Sequence, residues 1–211
     1  MGSAVKRLSS QSSYSVHPGV AMAQKWVSEL PQKTGRSLDE WIALVRKSGP
    51  PTEKERRDWL KKNYKLGTNS AWWIAERADG KGTEADDPDA YLEAAKGFVE
   101  EMYSGAKANL RPIYDALLKL GLRIGPDAKA CPCKTIVPLY RSHVFAQIKP
   151  TTNSRIDLGL SLGKSKTPKR VIDTGGYEKK DRITHRIPIS KLAEIDAEVK
   201  QWLKIAYDLD A

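Results

Sequence analysis

Between Val20 and Ala78 the apolar residues fall in four short groups at helical spacing: Trp26, Val27 and Leu30; Leu38, Trp41, Ile42 and Val45; Trp59 and Leu60; and Trp72, Trp73 and Ile74. Ser37 with Glu40, and Thr52 with Glu55, have the spacing of capping boxes, in which each side chain satisfies a backbone N–H that the first helical turn leaves open. Gly67 is expected to stop the third helix before the fourth begins. All four residues of the run Trp72, Trp73, Ile74 and Ala75 are expected in the core of this small bundle. Farther on, Asp87 and Pro88 predict a helix start, and Tyr91, Leu92, Ala95, Phe98, Val99 and Met102 carry the helical period to Ser104 and Gly105. A further helix is predicted from Asn109 to Leu120, with Leu110, Ile113, Leu117 and Leu120 on one stripe and Gly121 as its end.

Beyond Pro126 the period falls from 3.6 to 2. Val144, Ala146 and Ile148 alternate with Phe145, Gln147 and Lys149; Ile156, Leu158, Leu160 and Leu162 alternate with Arg155, Asp157, Gly159 and Ser161. Pro150 to Ser154 is a turn of hairpin length, so these two strands should pair antiparallel. A third strand, Arg182 to Ile189, follows the Gly175-Gly176 turn. A last helix, capped by Ser190, is predicted to bury Leu192, Ile195, Val199, Trp202 and Leu203. The fold class that follows is α+β: an N-terminal small helical bundle joined to a C-terminal antiparallel sheet with helices packed on one face.

The expected organisation is a mobile serine-rich tail over 1–18, a helical domain over 19–80, a linker over 81–90 and an α+β domain over 91–211. The segment 79–90 holds five acids, two glycines and a proline with almost nothing to bury. Five of the six tryptophans fall in the helical domain, so its core should rely on aromatic bulk. No apolar run approaches the roughly 20 residues of a membrane span, and the start lacks the apolar core of a signal peptide. Cys131 and Cys133 are too few for a disulfide scaffold. The expectation is a cytoplasmic protein with reduced thiols and no membrane contact.

Charge sharpens the picture. Residues 129–191 hold 14 Lys or Arg against 4 Asp or Glu, a net of +10 that equals the formal charge of the whole chain, so the other 148 residues sum to zero. On alternating strands, Gln147, Lys149, Arg155, Asp157, Arg182, Thr184 and Arg186 all leave the apolar face, with Lys134 and Arg141 just upstream. Lys134, Arg141, His143, Lys149, Arg155, Arg182 and Arg186 are therefore the candidate anion-binding residues. The arginine fork suits phosphate oxygens, and cations on a rigid sheet suit nucleic acid or another polyanion. The competing reading is a solvated face on which Asp157 and its neighbours form cross-strand ion pairs. Only Phe145, Tyr140 and Tyr177 offer exposed aromatics there, so stacking of single strands is weakly indicated.

Other constellations are incomplete. His143 and His185 titrate near neutrality beside arginines, but His185 shares a side with Ile183, Ile187 and Ile189, as a satisfied core histidine would. Cys131 and Cys133 are one residue apart, not the two to four of zinc knuckles, so no metal and no cofactor is expected. Asp157 with Glu178 and Lys180 hints at a metal-dependent nuclease, yet that Glu-x-Lys follows Gly175-Gly176 in a turn instead of lying on a core strand. In the helical domain, Lys54, Arg56, Arg57, Lys61, Lys62 and Lys65 cluster on and after the third helix, but Glu76 makes the fourth a poor groove reader. An exposed tryptophan there would instead anchor a protein partner.

The stretch KTGRSLDEWIALVRKSGPPTEKERRDWLKKNYKLGTNSAWWIAERA resembles a small helical domain of unknown function found in bacterial proteins. CPCKTIVPLYRSHVFAQIKPTTNSRIDLGL and DTGGYEKKDRITHRIPIS resemble the α+β domain of unknown function that often follows it. The resemblance implies a two-domain bacterial protein and supplies no catalytic residue. Together these readings predict a polyanion-binding protein with no complete catalytic constellation. The alternatives are a protein-interaction or small anionic-ligand module and, third, a metal-dependent nuclease.

Overall fold

The computed structural model describes residues 13–211, which divide into two compact units at Ala94/Ala95. In the helical unit, α1 (Pro18–Thr34) starts where the His17 ring accepts the Gly19 N–H, and it ends on Gly35, whose φ of 77° is the left-handed value glycine adopts without strain. Both expected capping boxes open their helices, α2 (Leu38–Ser48) and α3 (Glu53–Tyr64). Gly67 plays a different part. Lys65, itself left-handed, terminates α3, and Gly67 is the N-cap of α4 (Thr68–Ala78). Leu30, Trp41, Val45, Leu60, Ala71 and Ile74 form the core, edged by Trp26 and Trp59. The Trp41 indole donates to Thr34 Oγ1 at 2.8 Å, so its one polar atom is satisfied inside. Trp72, expected in that core, is 42% exposed. Four consecutive residues span the whole circumference of a helix, and Ala71, Ile74, Ala75 and Ala78 already fill the inward stripe of α4.

The acidic segment 79–90 carries ion pairs from Arg56 to Asp79 and from Arg77 to Asp86, and one turn of 3-10 helix at Thr83–Ala85. Asp87 caps α5 (Pro88–Met102) through the N–H groups of Asp89 and Ala90, as its position predicts. The unit boundary falls inside this helix.

The second unit takes in residues 13–15 and 95–211. The tail expectation for 1–12 lies outside the described residues, but Tyr14 and Ser15 are held, by a 2.9 Å bond between the Tyr14 and Tyr114 hydroxyls and another from Ser15 N–H to the Ala130 carbonyl. Its sheet has β1 (Lys129–Ala130), β2 (Val137–Tyr140), β3 (Val144–Thr152), β4 (Arg155–Leu160), β5 (Ile172–Asp173) and β6 (His185–Ile189), all antiparallel in the order β1-β2-β3-β4-β6-β5. Val137, Ile148, Leu158 and Ile187 form one cross-strand row, and Leu139, Ala146, Leu160 and His185 the next, all buried. Against this core pack α6 (Arg111–Leu122) and α7 (Ala197–Asp208). The fold is α+β, with a helical N-terminal region and a six-stranded antiparallel sheet.

Several details depart from the sequence pattern. Gly121 does not end α6 but lies within it, where a Cβ would stand 2.5 Å from Leu139 Cδ1, so the buried Leu139 side chain packs into the space the glycine leaves. Asp196 caps α7 by accepting the Val199 N–H at 3.1 Å, while the residues after Ser190 form a 3-10 turn at Leu192–Glu194. Phe145 is fully buried, edge-on to Tyr207 of α7 at 5.4 Å, since that helix covers this end of β3 and the pairing shifts register between Leu139 and Tyr140. Thr184 is buried too. Its hydroxyl accepts the Leu162 N–H and meets the His185 ring at 2.9 Å, which makes His185, 2% exposed, a satisfied core histidine.

Two outcomes are expected. Gly121→Val should destabilise the protein by roughly 1–3 kcal/mol through overpacking against Leu139, measured by urea unfolding. Burial pushes the Cys131 thiol up to about 12, so at pH 8 a disulfide reagent should modify it at least tenfold more slowly in the native protein than after denaturation.

Candidate anion-binding site

The β3–β4 hairpin sets Lys149 directly opposite Asp157, and β6 sets Pro188 beside Asp157 and Arg186 beside Gly159. Because side chains alternate along a strand, Lys149, Arg155, Asp157 and Arg186 share the sheet face opposite the apolar rows. Asp157 is only 8% exposed, yet it is an acid. Its carboxylate accepts two bonds from Arg186 Nη1, both at 3.1 Å, and one from the Thr151 hydroxyl at 2.8 Å. Arg155 Nε stands 2.9 Å away, aligned for charge attraction but not for a hydrogen bond, and its Nη2 donates at 3.4 Å. The pairing of β3 and β4 shifts register between Pro150 and Thr152, where Thr151 meets Asp157. Two guanidinium groups around one carboxylate leave one positive charge, and Lys149 adds a second. Each arginine side chain stays about one third exposed, with N–H groups left over.

At the turn end of the hairpin this face adjoins an open groove of about 810 Å³. Lys107, from the 3-10 turn Gly105–Leu110, meets Lys134 and Thr135 from the loop before β2, and Lys149, Thr151 and Asn153 from the hairpin. Lys107 Nζ donates to the Pro150 carbonyl at 3.0 Å, and Lys134 Nζ stands 6.0 Å over the Phe98 ring. Glu101 is the one acid of the lining, so three lysines leave it net +2. Hydroxyls and an amide between the cations supply donors of the kind that hold phosphate oxygens.

The other candidates gather elsewhere. The Asp210 carboxylate, almost wholly buried, takes the His143 backbone N–H at 2.7 Å, faces the His143 ring at 3.2 Å and pairs with Arg182, whose Nε also donates to the Val144 carbonyl. Arg141 bonds Asp127 at 3.2 Å and the Tyr207 carbonyl at 3.3 Å, with its guanidinium 4.5 Å over the Tyr207 ring. The Tyr207 hydroxyl and Arg141 hold the Asp127 carboxyl below its ordinary range. Arg141, His143 and Arg182 thus fasten the C-terminal end of α7, where helix carbonyls favour cations. His143 lies six residues from Lys149, about 20 Å at the rise of a strand.

Lys107, Asp127 and Asp210 were not among the residues singled out from the sequence. Lys107 sits in a loop with no periodic signal, and the two acids fall outside the basic stretch whose charges they balance. Asp157 is enclosed by arginines, whereas Glu178 and Lys180 line a separate hollow with Lys164, Tyr177, Asp181 and Arg182. Among the described residues, no three His, Cys, Asp or Glu side chains are grouped to hold a metal ion, and no helix is long and apolar enough to cross a membrane.

No curated protein and no solved structure matches the chain. Residues 22–80 match a family described as a domain of unknown function, DUF4287. Residues 99–210, more than half of the chain, match a second one, DUF5655, and it is to this family that the protein belongs.

Proposed function

We propose that this protein binds phosphate-rich polyanions, nucleic acid foremost, through the lysine groove and the sheet face beside it. The observation that carries the reading is the convergence of Lys107, Lys134 and Lys149 on one groove whose lining holds a single acid. Arg155 and Arg186 extend the positive surface from the groove over the sheet, although Asp157 takes part of their capacity. A backbone laid from groove to sheet meets point charges first and forked donors next, with Lys149 and Arg155 on the β3–β4 hairpin, Arg186 on β6, and Lys107 and Lys134 on the segments beside them. Nothing in such contacts reads a base edge, so binding is largely indifferent to sequence. Arg141, His143 and Arg182, tied to Asp127 and Asp210, serve the fold and contribute little to the ligand.

Binding to mixed single- and double-stranded DNA and RNA across a salt series tests this. Each phosphate contact contributes roughly 0.7 to 0.9 to the slope of log affinity against log salt, so Lys134→Ala with Lys149→Ala should flatten the slope by between about one and two units. Arg155→Ala alone should flatten it by less than one unit, because Asp157 already shares that guanidinium. If the parent binds no nucleic acid at low salt, or the double variant binds as well as the parent with the same slope, the groove is solvated surface and the reading fails.

A further inference from the structure

A second charged hollow lies on the helical unit, between α3 and α4. On α3, Lys54, Arg57, Asp58 and Lys61 recur at positions i, i+3, i+4 and i+7 and so share one side of the helix. On α4, Thr68, Asn69 and Trp72 face the same space, which measures about 460 Å³ and falls in the range of roughly 300–1,000 Å³ usual for small-ligand sites. Trp72 is the one tryptophan of this unit left exposed; Trp41 is fully buried and Trp26, Trp59 and Trp73 are partly buried. Lys61 bonds Asp58 at 2.9 Å and Arg57 pairs with Glu53 at 2.8 Å, one turn back. The lining residues carry three cations and one acid, a net of +2, and still +1 when Glu53 is counted.

We propose that this hollow binds a nucleoside phosphate, with the base stacked on the Trp72 indole and the phosphate held by Lys54, Arg57 and Lys61. The pairing of one flat aromatic face with clustered cations is the chemistry of nucleotide stacking, tolerant of which base is present because every base has a π-face. Asp58, whose carboxyl the Lys61 hydrogen bond holds below its ordinary range, offers an acceptor for a ribose hydroxyl or an exocyclic amine, and Thr68 and Asn69 offer hydroxyl and amide groups. A protein anchor would want a wider apolar surround, and this rim is charged. The site rests on the helical unit alone and stands whether or not the lysine groove binds a polyanion.

The same chemistry comes from a free mononucleotide or from a nucleotide within a single strand, and one experiment separates them. The full chain carrying Lys134→Ala and Lys149→Ala, which weakens the other groove, is labelled with ¹⁵N, and the Trp72 indole resonance is assigned from a Trp72→Phe variant. Adenosine 5′-monophosphate, a thymidine hexanucleotide and polyglutamate are titrated in turn. Saturable movement of the Trp72 signal with both nucleotides supports a site open to either source, and movement with the hexanucleotide alone assigns it to nucleotides within a strand. Trp72→Ala should weaken binding about tenfold, and Trp72→Phe much less. Lys54→Ala with Lys61→Ala should weaken it and flatten its salt dependence. No movement with either nucleotide, equal movement with polyglutamate, or undiminished binding by Trp72→Ala overturns the proposal. Salt-dependent binding by the parent chain, read separately, would survive that result, so the two readings fail independently.

Discussion

A carboxylate on an inner strand, shielded from water, is tolerated only when cations and donors meet it, and Asp157 imposes that condition on the second unit. It draws Arg186 across from β6, Arg155 from two residues before it on β4 and the Thr151 hydroxyl from the shifted end of β3. Three strands are thereby tied on the face opposite their apolar rows. A slip of one residue in either pairing would turn Asp157 into the core and break the cluster, so the charged face and the hydrophobic face specify the same register. Removing the carboxylate alone would leave two guanidinium groups confined together, and removing the arginines would strand a buried charge. Lys149, opposite Asp157 in the register, extends past this cluster into the groove.

The basic stretch is less basic in space than along the chain. Counted over 129–191 it carries +10, yet apart from Asp157 the acids that answer its arginines lie beyond those bounds. Asp127 binds Arg141, Asp210 binds Arg182, and Asp196 with Glu198 binds Arg170 at 2.6 and 3.0 Å. A window of sequence cannot show this, because α7 returns to the sheet only after the chain has left the basic region. Seven candidate residues therefore separate into Lys134 and Lys149 in the groove, Arg155 and Arg186 beside it, and Arg141, His143 and Arg182 at the end of α7.

What was legible follows from how many residues each signal spans. The alternation of β3, β4 and β6 repeats over enough positions to be read alone, while the two capping boxes and the Asp87 cap set residue types at the fixed spacing that marks a helix start. β1 and β5 have two residues apiece and β2 four with a proline, too short for any period to show. Gly121, Gly67 and Ser190 misled for another reason: each residue type has two uses, and only the packing decides between them. A helix-ending glycine and one that admits Leu139 look alike in sequence, and Asp196 is as good a cap as Ser190. Trp72 shows the limit of composition, since a helix has room for only one inward stripe however apolar its residues are.

Arginine and lysine have divided the work in the second unit, and the division has a physical cause. Arg141, Arg155, Arg170, Arg182 and Arg186 all meet carboxylates, where a planar fork with several donors satisfies a confined acid and still reaches a backbone carbonyl, as Arg182 does at Val144 and Arg170 at Glu194. A lysine offers one hydrated point charge on a flexible stem and gains less from such a fixed geometry. Lys107 and Lys134 instead touch a carbonyl and an aromatic ring, contacts that leave the ammonium charge uncancelled, and with Lys149 they line the groove. The polyanion binding proposed for the groove would therefore rest on the residues least committed to the fold. That is why they can be replaced to test binding without disturbing the cluster around Asp157.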